Sequence, residues 1–115
     1  MAVLAVVEDL FFRSKIETVA AQIGVPLCVI NAPQSLPTPP SGSAWRLVIV
    51  DLNRSGDDSV EVVRLLRQAL PTMTILGYCS HVQTDLKTRA LQAGCTTVLP
   101  RSAFVQRLPE LIAGK

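Results

Sequence analysis

Three acidic residues stand where they could do chemistry together. Glu8 and Asp9 follow the apolar run Ala2 to Val7, and Asp51 follows the run Leu47-Val48-Ile49-Val50. Short continuous apolar runs of this kind read as strands buried on both faces, as in a parallel sheet covered by helices. A carboxylate at the C-terminal end of such a strand lies on the edge where open α/β sheets bind ligands. Neighbouring strands lie ~4.8 Å apart, so carboxylates ending two adjacent strands feel each other's charge. Like charges in one cleft require a proton or a shared cation. A hard, oxygen-ligated ion such as Mg²⁺, held by one or two carboxylates and water, is the natural partner. It would also let a phosphoryl group approach a carboxylate that otherwise repels it. The expectation is that Asp9 and Asp51 point into one cleft, with Glu8 at its rim.

Other reactive side chains carry less. His81 has no second His or Cys at ligand spacing and reads as a loop residue. Gly56 has neither G-x-G-x-x-G nor a P-loop around it. Cys28, Cys79 and Cys95 form no C-x-x-C and no metal-ligand pattern, so they read as reduced thiols. Trp45 and Tyr78 read as packing residues beside the strands that carry them.

The elements that must position the carboxylates follow from the hydrophobic pattern. After the first strand, Phe12, Ile16, Val19, Ala20 and Ile23 recur at helical spacing over Leu10 to Ile23, with Gly24 as the stop. Pro26 to Asn31 is a second short strand. Ala32 to Ala44 holds Pro33, Pro37, Pro39 and Pro40 with Ser41, Gly42 and Ser43, where an α/β crossover ordinarily carries a helix. The expectation is an irregular crossover with at most one turn at Gln34 to Leu36. It would leave one sheet face less covered, a candidate contact for a partner or a second copy. The third strand ends at Asp51, and Asn53 to Ser59 is a polar loop. Val60 to Leu70 is a helix capped by Asp57, Asp58 or Ser59 and ended by Pro71. Thr74 to Tyr78 is a fourth strand, and a helix from Thr84 or Asp85 closes at Gly94. Thr96 to Leu99 is a fifth strand; Ser102 caps a last helix that Pro109 should kink or split. Alternating strands and helices imply a doubly wound, flavodoxin-like parallel sheet of order 2-1-3-4-5, its switch point between strands 1 and 3.

With 115 residues, 49% of them hydrophobic and 17% charged, the chain reads as one globular domain over residues 1–115. The formal charge of +2 is scattered and has no basic run interleaved with aromatics, which argues against nucleic-acid binding. Glu8 and Asp9 interrupt the N-terminal apolar segment, so it reads as neither signal peptide nor membrane span, and the expected location is cytoplasmic.

Taken in order, these residues resemble the receiver domain of two-component response regulators over nearly the whole chain. The family's acidic pair after strand 1 is matched by Glu8 and Asp9, and its phosphoacceptor aspartate by Asp51. Its metal-ligating backbone carbonyl falls on Asn53, and Ala93-Gly94-Cys95 is similar to its Ala-Gly-Ala signature. Departures are equally specific. The family's switch lysine falls on Arg101, and the proline that should follow it precedes it as Pro100. The strand 4 hydroxyl position falls on Cys79, with Ser80 adjacent and able to donate if the register moves by one. Arg54-Ser55 replaces the usual Met-Pro, and the switch aromatic of strand 5 reads as Val98 or Leu99.

The resemblance implies a signalling module that takes a phosphoryl group from a sensor kinase or phosphotransfer protein. Asp51 would be the nucleophile, with Mg²⁺ held by Glu8, Asp9, Asp51 and the Asn53 carbonyl, and with Ser80 and Arg101 on the phosphoryl product. As no output domain follows Lys115, the signal would pass by contact with a downstream protein. The competing reading is a pseudo-receiver, a protein-binding module on the same fold that is not phosphorylated. A small-molecule enzyme is disfavoured, since no nucleophile–base pair or cofactor loop accompanies the carboxylates.

Overall fold

The architecture comes from a computed structural model that describes residues 2–31, 37–39, 44–53, 59–80 and 84–114. These form five strands and four helices: β1 (Ala2–Val6), α1 (Leu10–Ile23), β2 (Leu27–Ile30), β3 (Trp45–Asp51), α2 (Ser59–Ala69), β4 (Ile75–Cys79), α3 (Thr84–Ala93), β5 (Thr97–Pro100) and α4 (Arg101–Ala113). The strands make one sheet in the order β2-β1-β3-β4-β5, parallel at every pairing. This is the doubly wound flavodoxin-like order expected from the alternation of strands and helices.

The apolar runs are continuous because both sheet faces are covered. Ala2, Leu4, Val6, Trp45, Val48 and Val50 face one core, against α2 and α3. Val3, Ala5, Leu47, Ile49, Leu76 and Tyr78 face the other, with Phe12, Ile16, Phe104, Leu108 and Ile112 of α1 and α4. Trp45 thus packs as the first residue of β3. As expected of reduced thiols, Cys28, Cys79 and Cys95 form no disulfide, and burial pushes the Cys95 thiol up to about 11.

Two arginines fasten the amino end of the sheet. The Arg67 guanidinium, on α2, donates to the carbonyls of Gly94 (2.6 Å), Leu70 (3.2 Å), Pro71 (2.9 Å) and Met73 (2.7 Å). Gly94 must be glycine on two counts: its φ is 133°, and a Cβ there would sit 2.8 Å from the Arg67 side chain. Arg46, near the start of β3, donates to the carbonyls of Leu111 (3.4 Å) and Ile112, the last turn of α4.

Several boundaries differ from expectation. β4 runs to Cys79 and starts at Ile75, not Thr74, because Thr96 closes its amino end by bonding both Ile75 backbone groups. β5 runs Thr97 to Pro100, not Thr96 to Leu99, since a proline is tolerated in an edge strand. The last helix therefore starts at Arg101, with extended Pro100 as its N-cap (φ −66°, ψ 153°), and Ser102 is already inside it rather than capping it. Pro109 does not split α4, which continues to Ala113; the proline lies on its exposed side. Ser59 is the first helical residue of α2 and is buried, while Asp57 and Asp58 lie outside the described residues, as do Arg54, Ser55, Gly56 and His81. In the crossover, Pro37, Thr38 and Pro39 are not helical, which excludes a three-turn helix across the segment. The turn expected at Gln34 to Leu36, and Pro33 and Pro40, lie outside the described residues. The β2 residues Leu27, Cys28, Val29 and Ile30 are half-buried.

Candidate functional site

Asp51 is the last residue of β3 and pairs in register with Tyr78 of β4. Alternation along β3 puts it in phase with Leu47 and Ile49, on the α1–α4 side. It is 3% exposed, and its Oδ1 accepts from the Asn53 N–H at 2.8 Å. Burial raises its pKa, and the negative charge of Asp9 adds to that rise. The Asn53 N–H, the Arg101 guanidinium and the Tyr78 hydroxyl oppose it by favouring the carboxylate.

The sequence-predicted residues arrive from three further elements. Asp9 is exposed and caps α1, its Oδ1 accepting from the N–H groups of Phe11 (2.8 Å) and Phe12 (3.2 Å). Glu8 is exposed, and among the described residues the charges of Asp9 and Arg101 act on Asp51. Ser80 follows β4, and its hydroxyl donates to Asn53 Oδ1 at 3.4 Å. Cys79 is buried in the core against α2 and α3, on the face of the sheet away from Asp51. Arg101 opens α4, with its guanidinium over the Phe12 ring at 4.6 Å from the centroid. Asp9, Asp51, Arg101, Asn53 and Ser80 are therefore gathered at the carboxyl edge. The switch-aromatic positions Val98 and Leu99 hold no aromatic ring.

Two residues matter more than their sequence reading suggested. Tyr78 is fully buried, stacked on Phe104 (centroids 4.3 Å apart, planes at 10°) and 5.4 Å from the Phe12 ring. Its hydroxyl acts on Asp51 to favour the charged carboxylate, yet it makes no hydrogen bond among the described residues. Burial, then the Asp51 and Asp9 charges, drive its pKa upward, so the phenol stays protonated and is a donor. Phe12 is both a core residue and the platform for Arg101. A tyrosine inside a fully buried strand was the available signal, because its hydroxyl needs a polar neighbour.

Among the described residues, three buried side-chain polar atoms have no hydrogen-bond partner: Asn53 Nδ2, Tyr78 OH and Arg101 Nε. All three belong to residues beside Asp51, and all three can donate. Native proteins leave few such atoms unpaired.

No family model matches the sequence. The structure is similar to that of Vibrio cholerae chemotaxis protein CheY4, with a TM-score of 0.80 and 18% identity over 97% of this chain and 96% of that one. This is the receiver-domain fold. It is similar also to a response regulator from Thermotoga maritima, with a TM-score of 0.76 and 20% identity over 99% of this chain and 98% of that one. A third receiver-fold neighbour is a response regulator from Burkholderia pseudomallei that holds a phosphorylated aspartic acid, a calcium ion and citrate. There the TM-score is 0.76 and the identity 14%, over 98% of this chain and 71% of that one. In sequence, 57 residues are 37% identical to the transcriptional activator protein ExaE of Pseudomonas putida; they make up 50% of this chain and 27% of that protein. The match thus spans little more than a quarter of that relative's length.

Proposed function

We propose that the chain is a receiver-like signalling module that accepts a phosphoryl group on Asp51 and signals through contact with another protein. One observation carries this reading: at the carboxyl edge of the receiver fold the buried Asp51 carboxyl stands beside Asn53 and Arg101, with Asp9 and Ser80 gathered at the same edge. The donor would be a phosphohistidine on a sensor kinase or phosphotransfer protein. An Asp51 oxygen attacks phosphorus, the P–N bond breaks, and the imidazole departs with its electron pair. The Asn53 N–H holds Oδ1 in place and leaves the second oxygen to attack. Arg101 supplies positive charge at the edge of the site, and Ser80 a hydroxyl beside Asn53.

The donor set fits a hard divalent cation. Among the described residues no three His, Cys, Asp or Glu side chains form a metal-holding group. Mg²⁺ needs only one or two carboxylates and keeps several waters. Asp51 and Asp9 would supply these, with the Asn53 carbonyl and Glu8 as the remaining candidates. When bound, such an ion neutralises charge on the transferring oxygens.

The second reading, a pseudo-receiver that binds protein without phosphorylation, is favoured by Arg101. Its guanidinium already sits on Phe12 and acts on Asp51, as a resident cation would. Incubation with acetyl phosphate and Mg²⁺ separates the two. The phosphoacceptor reading expects a base-labile modification that Asp51→Asn abolishes. Absence of label, with partner binding unchanged in Asp51→Asn, would establish the pseudo-receiver.

A further inference from the structure

The polar end of Tyr78 has a use that neither packing nor the family pattern assigns. It is the register partner of Asp51, it is fully buried, and its ring is fixed between Phe104 and Phe12. A ring so clamped keeps its hydroxyl at one point in space, and the O–H can only turn about its own bond. Among the described residues, Asp51 accepts one hydrogen bond, from the Asn53 N–H to Oδ1. Of the groups beside the carboxylate, the phenol is a neutral donor held by an aromatic stack, whereas Arg101 is a cation at the mouth of the site.

We propose that Tyr78 is the positioning residue of Asp51: its hydroxyl donates to the carboxylate and holds the reactive oxygen toward the incoming phosphoryl group. Resting on the phosphoacceptor reading, this adds a donor on β4, at the register partner of the acceptor. A buried phenol left unpaired beside a carboxylate is unfavourable, and a bond to Asp51 would satisfy it.

Tyr78 is the one tyrosine in the chain, so tyrosine-selective ¹³Cζ labelling of the full chain reports on it alone. The expected spectrum has one slowly exchanging, low-field hydroxyl proton correlated with that carbon. It disappears in Tyr78→Phe, which keeps the ring stack, and moves upfield in Asp51→Asn, where a neutral amide oxygen replaces the charged acceptor. A hydroxyl proton that exchanges rapidly, or whose shift is the same in wild type and Asp51→Asn, overturns the proposal. Acetyl phosphate labelling is the second measurement. A lost hydrogen bond to a charged group is worth about a tenfold change in rate, so Tyr78→Phe should label roughly tenfold more slowly than wild type. Labelling of Tyr78→Phe at the wild-type rate overturns the positioning role. If wild type takes no label, the phosphoacceptor reading fails, while the hydroxyl signal still decides whether Tyr78 holds Asp51.

Discussion

The two ends of the sheet handle buried polar groups in opposite ways. At the amino end Arg67 joins α2 to the starts of β4 and β5, its guanidinium committed to the carbonyls of Gly94, Leu70, Pro71 and Met73. At the carboxyl end Arg101 has a buried Nε with no partner among the described residues, as do Asn53 Nδ2 and Tyr78 OH. Saturated hydrogen bonding makes a clamp. Unsaturated donors beside a buried acid instead cost stability.

The largest expected effect tests the clamp. Arg67→Ala should destabilise the fold by about 3–4 kcal/mol, because it strips partners from several half-buried carbonyls at once. Urea unfolding measures this, and a loss under about 1 kcal/mol would erase the contrast between the ends. Next is Gly77, where an added Cβ would meet Leu52 Cδ1 at 2.9 Å and Cys95 Sγ at 3.2 Å. Gly77→Ala should cost about 1–3 kcal/mol through overpacking. Because Leu52 follows Asp51, it should also slow acetyl phosphate labelling, which Arg67→Ala should leave unchanged in the folded fraction.

The smallest effect is a gain. Burial raises the Asp51 pKa above the ordinary 3.8, so the folded state holds that proton more tightly than the unfolded chain does. Its stabilising contribution is complete below 3.8 and is lost as pH rises through the folded value. Without added cation, Asp51→Asn should therefore raise Tm at neutral pH, and the gain should shrink as the pH falls toward the ordinary carboxylate value. Thermal unfolding across that range checks the sign. A lower Tm for Asp51→Asn at neutral pH would mean that Arg101, Asn53 and Tyr78 outweigh burial.

The sheet was legible because it is parallel and covered on both faces. Leu47 to Val50 and Ala2 to Val7 are unbroken apolar runs, and the carboxylates that end them mark the binding edge. What the sequence hid was register. Tyr78 faces Asp51 because β3 and β4 pair 51 with 78, a relation between two strands that neither strand carries in its own pattern. Local signals misled at β5, where the pattern puts the strand at Thr96 to Leu99 and the helix cap at Ser102. At an edge position a proline can end a strand and, with its fixed φ, start the helix directly. A proline removes a helical bond, so Pro109 is expected to kink or split α4; the helix is not split, and Phe104, Leu108 and Ile112 hold both halves in the core.

Those anchors place α4 in an unusual mechanical situation. Strand β3 grips it twice: Arg46 holds the carbonyls of Leu111 and Ile112 at one end, and the Asp51 charge acts on Arg101 at the other. The two attachments differ in electrostatic sense. Arg46 neutralises the negative pole of the helix dipole, whereas Arg101 adds positive charge to the positive pole and depends on Asp51 and the Phe12 ring to remain there. Sliding along the strand would break the Arg46 bonds. Cancelling the Asp51 charge would loosen the Arg101 side chain alone, because Phe104, Leu108 and Ile112 keep both halves of α4 in the core.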